Sequence, residues 1–122
     1  MNSIKIKSYA KINLALNVTG KKKKLHRIES IVSFIDLHDL IYLKQINKEN
    51  HKISFKGRYS KNIDRINTVT TLLKLLDKKK FLNGKKFELK IVKNIPQESG
   101  MGGGSMNAAS LINFFINKKI LK

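Results

Sequence analysis

The sequence predicts an α+β domain on three observations. Apolar and polar residues alternate through much of the first half, apolar residues recur at helical spacing in two later windows, and no repeat or linker divides the 122 residues. An apolar fraction of 41% suffices for one hydrophobic core, and the length suits one domain, or part of one, over 1–122.

Ile4, Ile6, Ile12, Leu14, Leu16 and Val18 recur at a period of two, interrupted at Ala10 and Lys11, which predicts a long strand or strand pair with one buried face. Gly20 and the lysines up to residue 24 predict a loop. Ile28, Ser30, Val32 and Phe34 then share one face of a further strand, with Ile31, Ser33 and Ile35 on the other. Residues 36–39 read as a tight connection into a strand over 40–46, and 51–55 as another short strand, so the first half is expected to be an antiparallel meander of about four or five strands. Ile66, Val69, Leu73 and Leu76 form one helical stripe, predicting a helix over 67–78 capped by Asp64 or Asn67. Phe87, Leu89 and Ile91 alternate again, in a strand that ends before Pro96, the only proline. Ala108, Leu111, Ile112, Phe115 and Ile116 then define a second helix beginning near Ser105.

Composition excludes several chemistries. The chain has no cysteine, which removes disulfides, zinc fingers, iron–sulfur sites and thiol nucleophiles, and His26, His38 and His51 are too far apart for a local metal motif. No run of about 18 apolar residues is present, and no apolar segment follows the basic N-terminus, so a cytoplasmic protein without a membrane partner is expected. The 26 basic and 8 acidic residues give a net charge of +18. That charge fits either attraction to polyanions or a lysine-rich composition with solvated faces. Only Arg27, Arg58 and Arg65 are arginines, tryptophan is absent, and no lysine run is interleaved with aromatics, which favours solvated faces over nucleic-acid binding.

The densest chemical signal is the glycine cluster Gly100, Gly102, Gly103 and Gly104, set between a strand and an apolar helix. Backbone N–H groups can approach an anion closely there, and the following helix directs unpaired N–H groups and the positive end of its dipole into the same space. A phosphate chain is the implied ligand; close helix–strand packing is the alternative. The segment is neither a Walker A loop, which ends in Gly-Lys-Ser/Thr, nor a Rossmann fingerprint, because the final glycine position is Ser105.

Pro96 followed by Gly100-Met101-Gly102-Gly103-Gly104-Ser105-Met106-Asn107-Ala108-Ala109 resembles the central motif of the GHMP small-molecule kinases. Ala10-Lys11-Ile12-Asn13-Leu14-Ala15-Leu16-Asn17-Val18-Thr19-Gly20 is similar to the opening motif of that family's branch acting on a cytidine diphosphate-linked methylerythritol. His26-Arg27-Ile28-Glu29-Ser30-Ile31 and Phe34-Ile35-Asp36-Leu37-His38-Asp39 continue the resemblance in order. It implies a ribosomal protein S5 domain 2-like N-terminal domain of a GHMP kinase, incomplete at its C-terminal end, that uses ATP and Mg²⁺ to phosphorylate a hydroxyl of that substrate in isoprenoid precursor biosynthesis. Lys11 would be the catalytic lysine, offsetting charge near the accepting hydroxyl and the transferred phosphoryl group. Pro96, Gly100, Met101, Gly102, Gly103, Gly104 and Ser105 would hold the ATP phosphates, with Ser105 also at Mg²⁺. Asn67 would line the nucleotide pocket, and Asn13 and His26 would hold the small-molecule substrate.

The sequence departs from that pattern in three places. The family's D-G-Y-H loop is Lys23-Lys24-Leu25-His26 here, so no aromatic is available at Leu25 to stack on cytosine, and Tyr9 is the candidate replacement. Met106 stands where a second serine is expected. The family's general base, an aspartate in a later G-A-D-x-P segment, has no counterpart, so these 122 residues are expected not to turn over alone. A basic nucleic-acid module of the same fold type and a non-catalytic kinase remnant are the alternatives.

Overall fold

The computed structural model describes the backbone of residues 3–22, 25–97 and 102–121, with side chains for those outside 12–35. Alternating apolar residues produce two long strands, β1 (Ile4–Lys22) and β2 (Leu25–Ile46), paired antiparallel. The interruption expected at Ala10 and Lys11 is a register shift between Tyr9 and Lys11, and further shifts follow between Asn13 and Ala15 and between Val18 and Gly20. Such shifts bend and twist a strand and re-aim its side chains. Two expectations are corrected here. Gly20 to Lys22 remain in β1 rather than opening a loop, and the connection expected at 36–39 is uninterrupted β2, with Asp39 paired to Ser8.

The short strand β3 (Lys52–Lys56) leads through a loop to helix α1 (Thr68–Lys78), then to strand β4 (Lys86–Val92) and helix α2 (Gly103–Asn117). The sheet order is β1-β2-β4-β3, with β3 parallel to β4 at an edge. The expected meander is therefore wrong: a parallel pair needs a crossover, and α1 supplies it. The α+β class and both helices stand as predicted.

One sheet face forms the core. Ile4, Leu43, Leu89 and Ile53 lie in one row across the strands, and Ile6, Ile41, Ile91 and Phe55 in the next. Val69, Leu73 and Leu76 of α1 and Leu111 and Phe115 of α2 complete the buried cluster around Phe87. The α2 stripe is rotated from the predicted one: Asn107, Leu111 and Phe115 are buried, whereas Ile116 is 55% exposed. Ile66 also leaves its predicted stripe, because the helix starts beyond it, and it stands 81% exposed.

Both helix ends follow local chemistry. Asn67 caps α1 by accepting from the N–H groups of Val69 and Thr70, while the Thr70 hydroxyl accepts from the Asn67 N–H, a capping box. At the C-terminus of α1, Lys80 is left-handed (φ 61) and the N–H groups of Lys80 and Phe81 donate to the carbonyls of Asp77 and Leu76. Lys119 (φ 55) and Ile120 repeat this arrangement at the end of α2, donating to Ile116 and Phe115. Both ends are Schellman motifs with lysine where glycine is the usual residue.

Candidate active site

The glycine cluster delivers the N-terminus of α2 into a cavity of about 490 Å³. Gly102 is the N-cap in the left-handed region (φ 72), and no side chain caps the helix. Its carbonyl accepts from the Met106 N–H at 2.6 Å, which starts the helical ladder. The first N–H groups of the helix have no intrahelical acceptor, and Gly102, Gly103, Gly104 and Ser105 all line the cavity. The result is an uncapped helix N-terminus of anion-binding type.

Lys11 lies at this point. A Cβ on Gly102 would fall 3.0 Å from Lys11 Cε and 3.4 Å from its Cγ, so the lysine stem rests directly on the glycine. The register shift after Tyr9 accounts for its direction: Ser8 and Ala10 are both buried on the helix side, and the shift lets Lys11 face the helix N-terminus too. Residues 11 and 102, far apart in sequence, are thus neighbours. Gly103 is needed for close approach, since a Cβ there would sit 3.3 Å from Ile95 Cγ2 and 3.7 Å from Lys93 Nζ.

Beneath the loop is a buried polar network. Lys93 Nζ donates to Asp39 Oδ2 at 2.6 Å and to Asn107 Oδ1 at 2.8 Å. Asn107 Nδ2 donates to the Ser8 hydroxyl and to Asp39 Oδ2, and Asp39 Oδ1 accepts from the N–H groups of Asn94 and Ile95. All four side chains are buried, and no buried side-chain polar atom among the described residues lacks a partner. The network ties β1, β2, the segment after β4 and the N-terminal part of α2 to one another, so the glycine helix enters at a fixed position.

The opposite wall comes from the loop before α1. Asn62, Ile63, Asp64, Ile66, Asn67 and Thr68 face Pro96 and Gln97 across the opening. Gln97 Nε2 donates to the carbonyls of Tyr59 and Lys61, joining the two walls. Asn67 lines the cavity as expected, but its side chain is occupied in the helix cap and donates to the Asp64 carbonyl, so it holds the wall in shape.

The structure therefore brings Asn67, Pro96, Gly102, Gly103, Gly104 and Ser105 around one space, with the Lys11 stem against Gly102. Gly100 and Met101 lie outside the described residues, as do the side chains of Asn13 and His26. Tyr9, the candidate stacking partner for cytosine, does not line this cavity, and the side chains of Leu25 and His26, beside which it would act, lie outside the described residues. Tyr9 points to the other sheet face, where its ring packs against His38 at 5.3 Å. Sequence reasoning missed Asp39, Lys93 and Gln97. For Lys93 a signal existed: it continues the inward alternation Phe87, Leu89, Ile91 and is a charged residue at a core position.

Residues 67–118 match the family model described as GHMP kinases N terminal domain. Over all 122 residues the chain is 70% identical to the 4-diphosphocytidyl-2-C-methyl-D-erythritol kinase of Pelagibacter ubique, of which it covers 43%. It is 39% identical over 113 residues to the kinase of the same name from Clostridioides difficile, covering 92% of this chain and 38% of that protein. Among solved structures, a 4-(cytidine 5'-diphospho)-2C-methyl-D-erythritol kinase superposes with a TM-score of 0.67 at 21% identity, covering 94% of this chain and 40% of that one. A homoserine kinase from Cytophaga hutchinsonii gives 0.64 at 18% identity, covering 98% and 37%. The chain thus has the GHMP kinase fold and spans well under half the length of the curated kinases it matches.

Proposed function

We propose that this chain is the ATP-binding part of a cytoplasmic kinase that transfers the γ-phosphoryl group of ATP to a hydroxyl of 4-diphosphocytidyl-2-C-methyl-D-erythritol, releasing ADP and a proton, in isoprenoid precursor biosynthesis. The observation that carries the reading is the contact between Lys11 and Gly102 at the uncapped start of α2. A phosphate chain against the N–H groups of 103–105 meets the helix dipole, and the Lys11 ammonium group is the nearby cation for charge developing on the phosphoryl group and the accepting oxygen. ATP supplies the phosphoryl group, and Mg²⁺ neutralises phosphate charge. Among the described residues no three acidic, histidine or cysteine side chains gather into a metal site. We assign Mg²⁺ to the phosphates and the Ser105 hydroxyl, a partial coordination usual for that ion. Asn13 and His26 are assigned to the cytidine-bearing substrate.

The test has two arms. Calorimetric titration of the 122-residue chain with Mg²⁺–ATP should give saturable binding that Gly103→Val removes, because the branched side chain meets Ile95 and Lys93. Joined to the remaining sequence of the Pelagibacter relative, the chain should phosphorylate the diphosphocytidyl substrate, and alone it should not. Absence of nucleotide binding in both forms would defeat the proposal; turnover by the 122 residues alone would defeat the assignment of the base to a later segment.

A further inference from the structure

The sheet face turned away from the helices combines lysines and aromatic rings in a way that the linear sequence conceals. Lys5, Tyr42, Lys90 and Ser54 lie side by side across the four strands, and Lys7, Leu40, Val92 and Lys56 form the next row. A further row carries Lys44, Glu88 and Lys52, where the glutamate lies 3.8 Å and 3.6 Å from the two lysines. Tyr9 and His38 stand opposite one another beyond Lys7 and Leu40, with Tyr9 37% exposed. Lys5, Lys7, Lys56 and Lys90 are exposed and take part in none of the ion pairs among the described residues.

This arrangement has directional chemistry. Residues two apart on a strand are separated by about 6.7 Å and neighbouring strands by about 4.8 Å, so Tyr42 lies between Lys5 and Lys90, and Tyr9 and His38 border the lysine rows. Lysines on a flat face attract a polyanion by releasing its counterions. Rings beside the lysines add something that a phosphate polymer or lipid headgroup layer does not use, which is stacking on planar bases. We propose that this face binds single-stranded nucleic acid, with the lysines on phosphates and Tyr9, His38 and Tyr42 under the bases. Among the described residues of this face there is no arginine, so binding is insensitive to base sequence and steeply dependent on salt. The surface is separate from the glycine cavity and independent of the kinase proposal.

Fluorescence anisotropy with a labelled 12-nucleotide oligouridylate, on the whole chain at about 50 mM KCl, tests it. The slope of log K against log salt should be about −3, from about 0.7 for each of the four lysines without an acidic partner. Lys7→Glu with Lys90→Glu should weaken binding about tenfold or more, whereas the same charge change on α1, Lys74→Glu with Lys78→Glu, should weaken it less than about threefold. Tyr9→Leu with Tyr42→Leu should weaken oligouridylate about tenfold and leave inorganic polyphosphate within about twofold. Far-UV circular dichroism checks folding, and Lys5→Gln with Lys56→Gln serves if the first pair does not fold. Equal losses from both charge-reversal pairs would assign binding to diffuse charge and overturn the proposal. It would also be overturned by unchanged binding in the tyrosine variants, by displacement of the oligonucleotide by Mg²⁺–ATP, or by binding only to phosphatidylglycerol vesicles.

Discussion

Asp39 is the residue on which the geometry of the glycine helix converges. Its two oxygens serve Lys93, Asn107 and two backbone N–H groups, and it is wholly buried. Replacing it with asparagine removes the charge opposite Lys93 while leaving that ammonium in the interior, and an uncompensated buried charge costs about 3–5 kcal/mol. Urea denaturation of Asp39→Asn should show a loss of that order. Lys11 is expected to behave differently, because it is exposed and its stem lies against Gly102. In the version joined to the rest of the Pelagibacter relative, Lys11→Ala should lower kcat by about 100-fold or more while changing ATP affinity less than about threefold, as for a group acting mainly in the transition state. Comparable losses in both would make Lys11 a nucleotide-binding residue only.

At the scale of elements, α1 at both ends and α2 at its C-terminal end are set by short-range hydrogen bonds, and both are held to the sheet by narrow apolar stripes. The two Schellman ends place Lys80 and Lys119 in the left-handed region, where a Cβ costs about 1–2 kcal/mol and glycine avoids that strain. Lys119→Gly should therefore stabilise the chain by about 0.5–1 kcal/mol after the entropy of glycine is counted, read as a higher denaturation midpoint at unchanged slope. A lower midpoint would mean that the lysine side chain contributes more than its backbone strain costs.

For the whole molecule, a net charge of +18 on a small chain is a source of self-repulsion. The described ion pairs involve only Asp39, Asp77 and Glu88 as acidic partners. Raising potassium chloride from about 20 mM to about 200 mM shortens the Debye length severalfold, and the thermal midpoint should rise with it. A midpoint that stays flat or falls would show that local pairs, rather than the global field, set the response. The same charge gives the lysine-rich sheet face its attraction for anions.

Period-two alternation in β1 and β4, the Asn67 cap and the helical stripe of α1 were readable because each depends on residues within a turn or a strand of one another. The glycine cluster was readable for the same reason, as the N–H geometry it permits is local. By itself the sequence determined the α+β class, the two helices and the glycine-rich start of α2. Tertiary structure decided which segments meet. It ran β2 through residues 36–39, because Asp39 satisfies N–H groups of residues 94 and 95 instead of turning the chain. It set β3 parallel at an edge, placed Lys11 on Gly102, and packed Tyr9 against His38 on the lysine face. The physical reason is that strand pairing, register shifts and buried polar networks join residues many positions apart, and their energies depend on which partner arrives, which no local pattern contains.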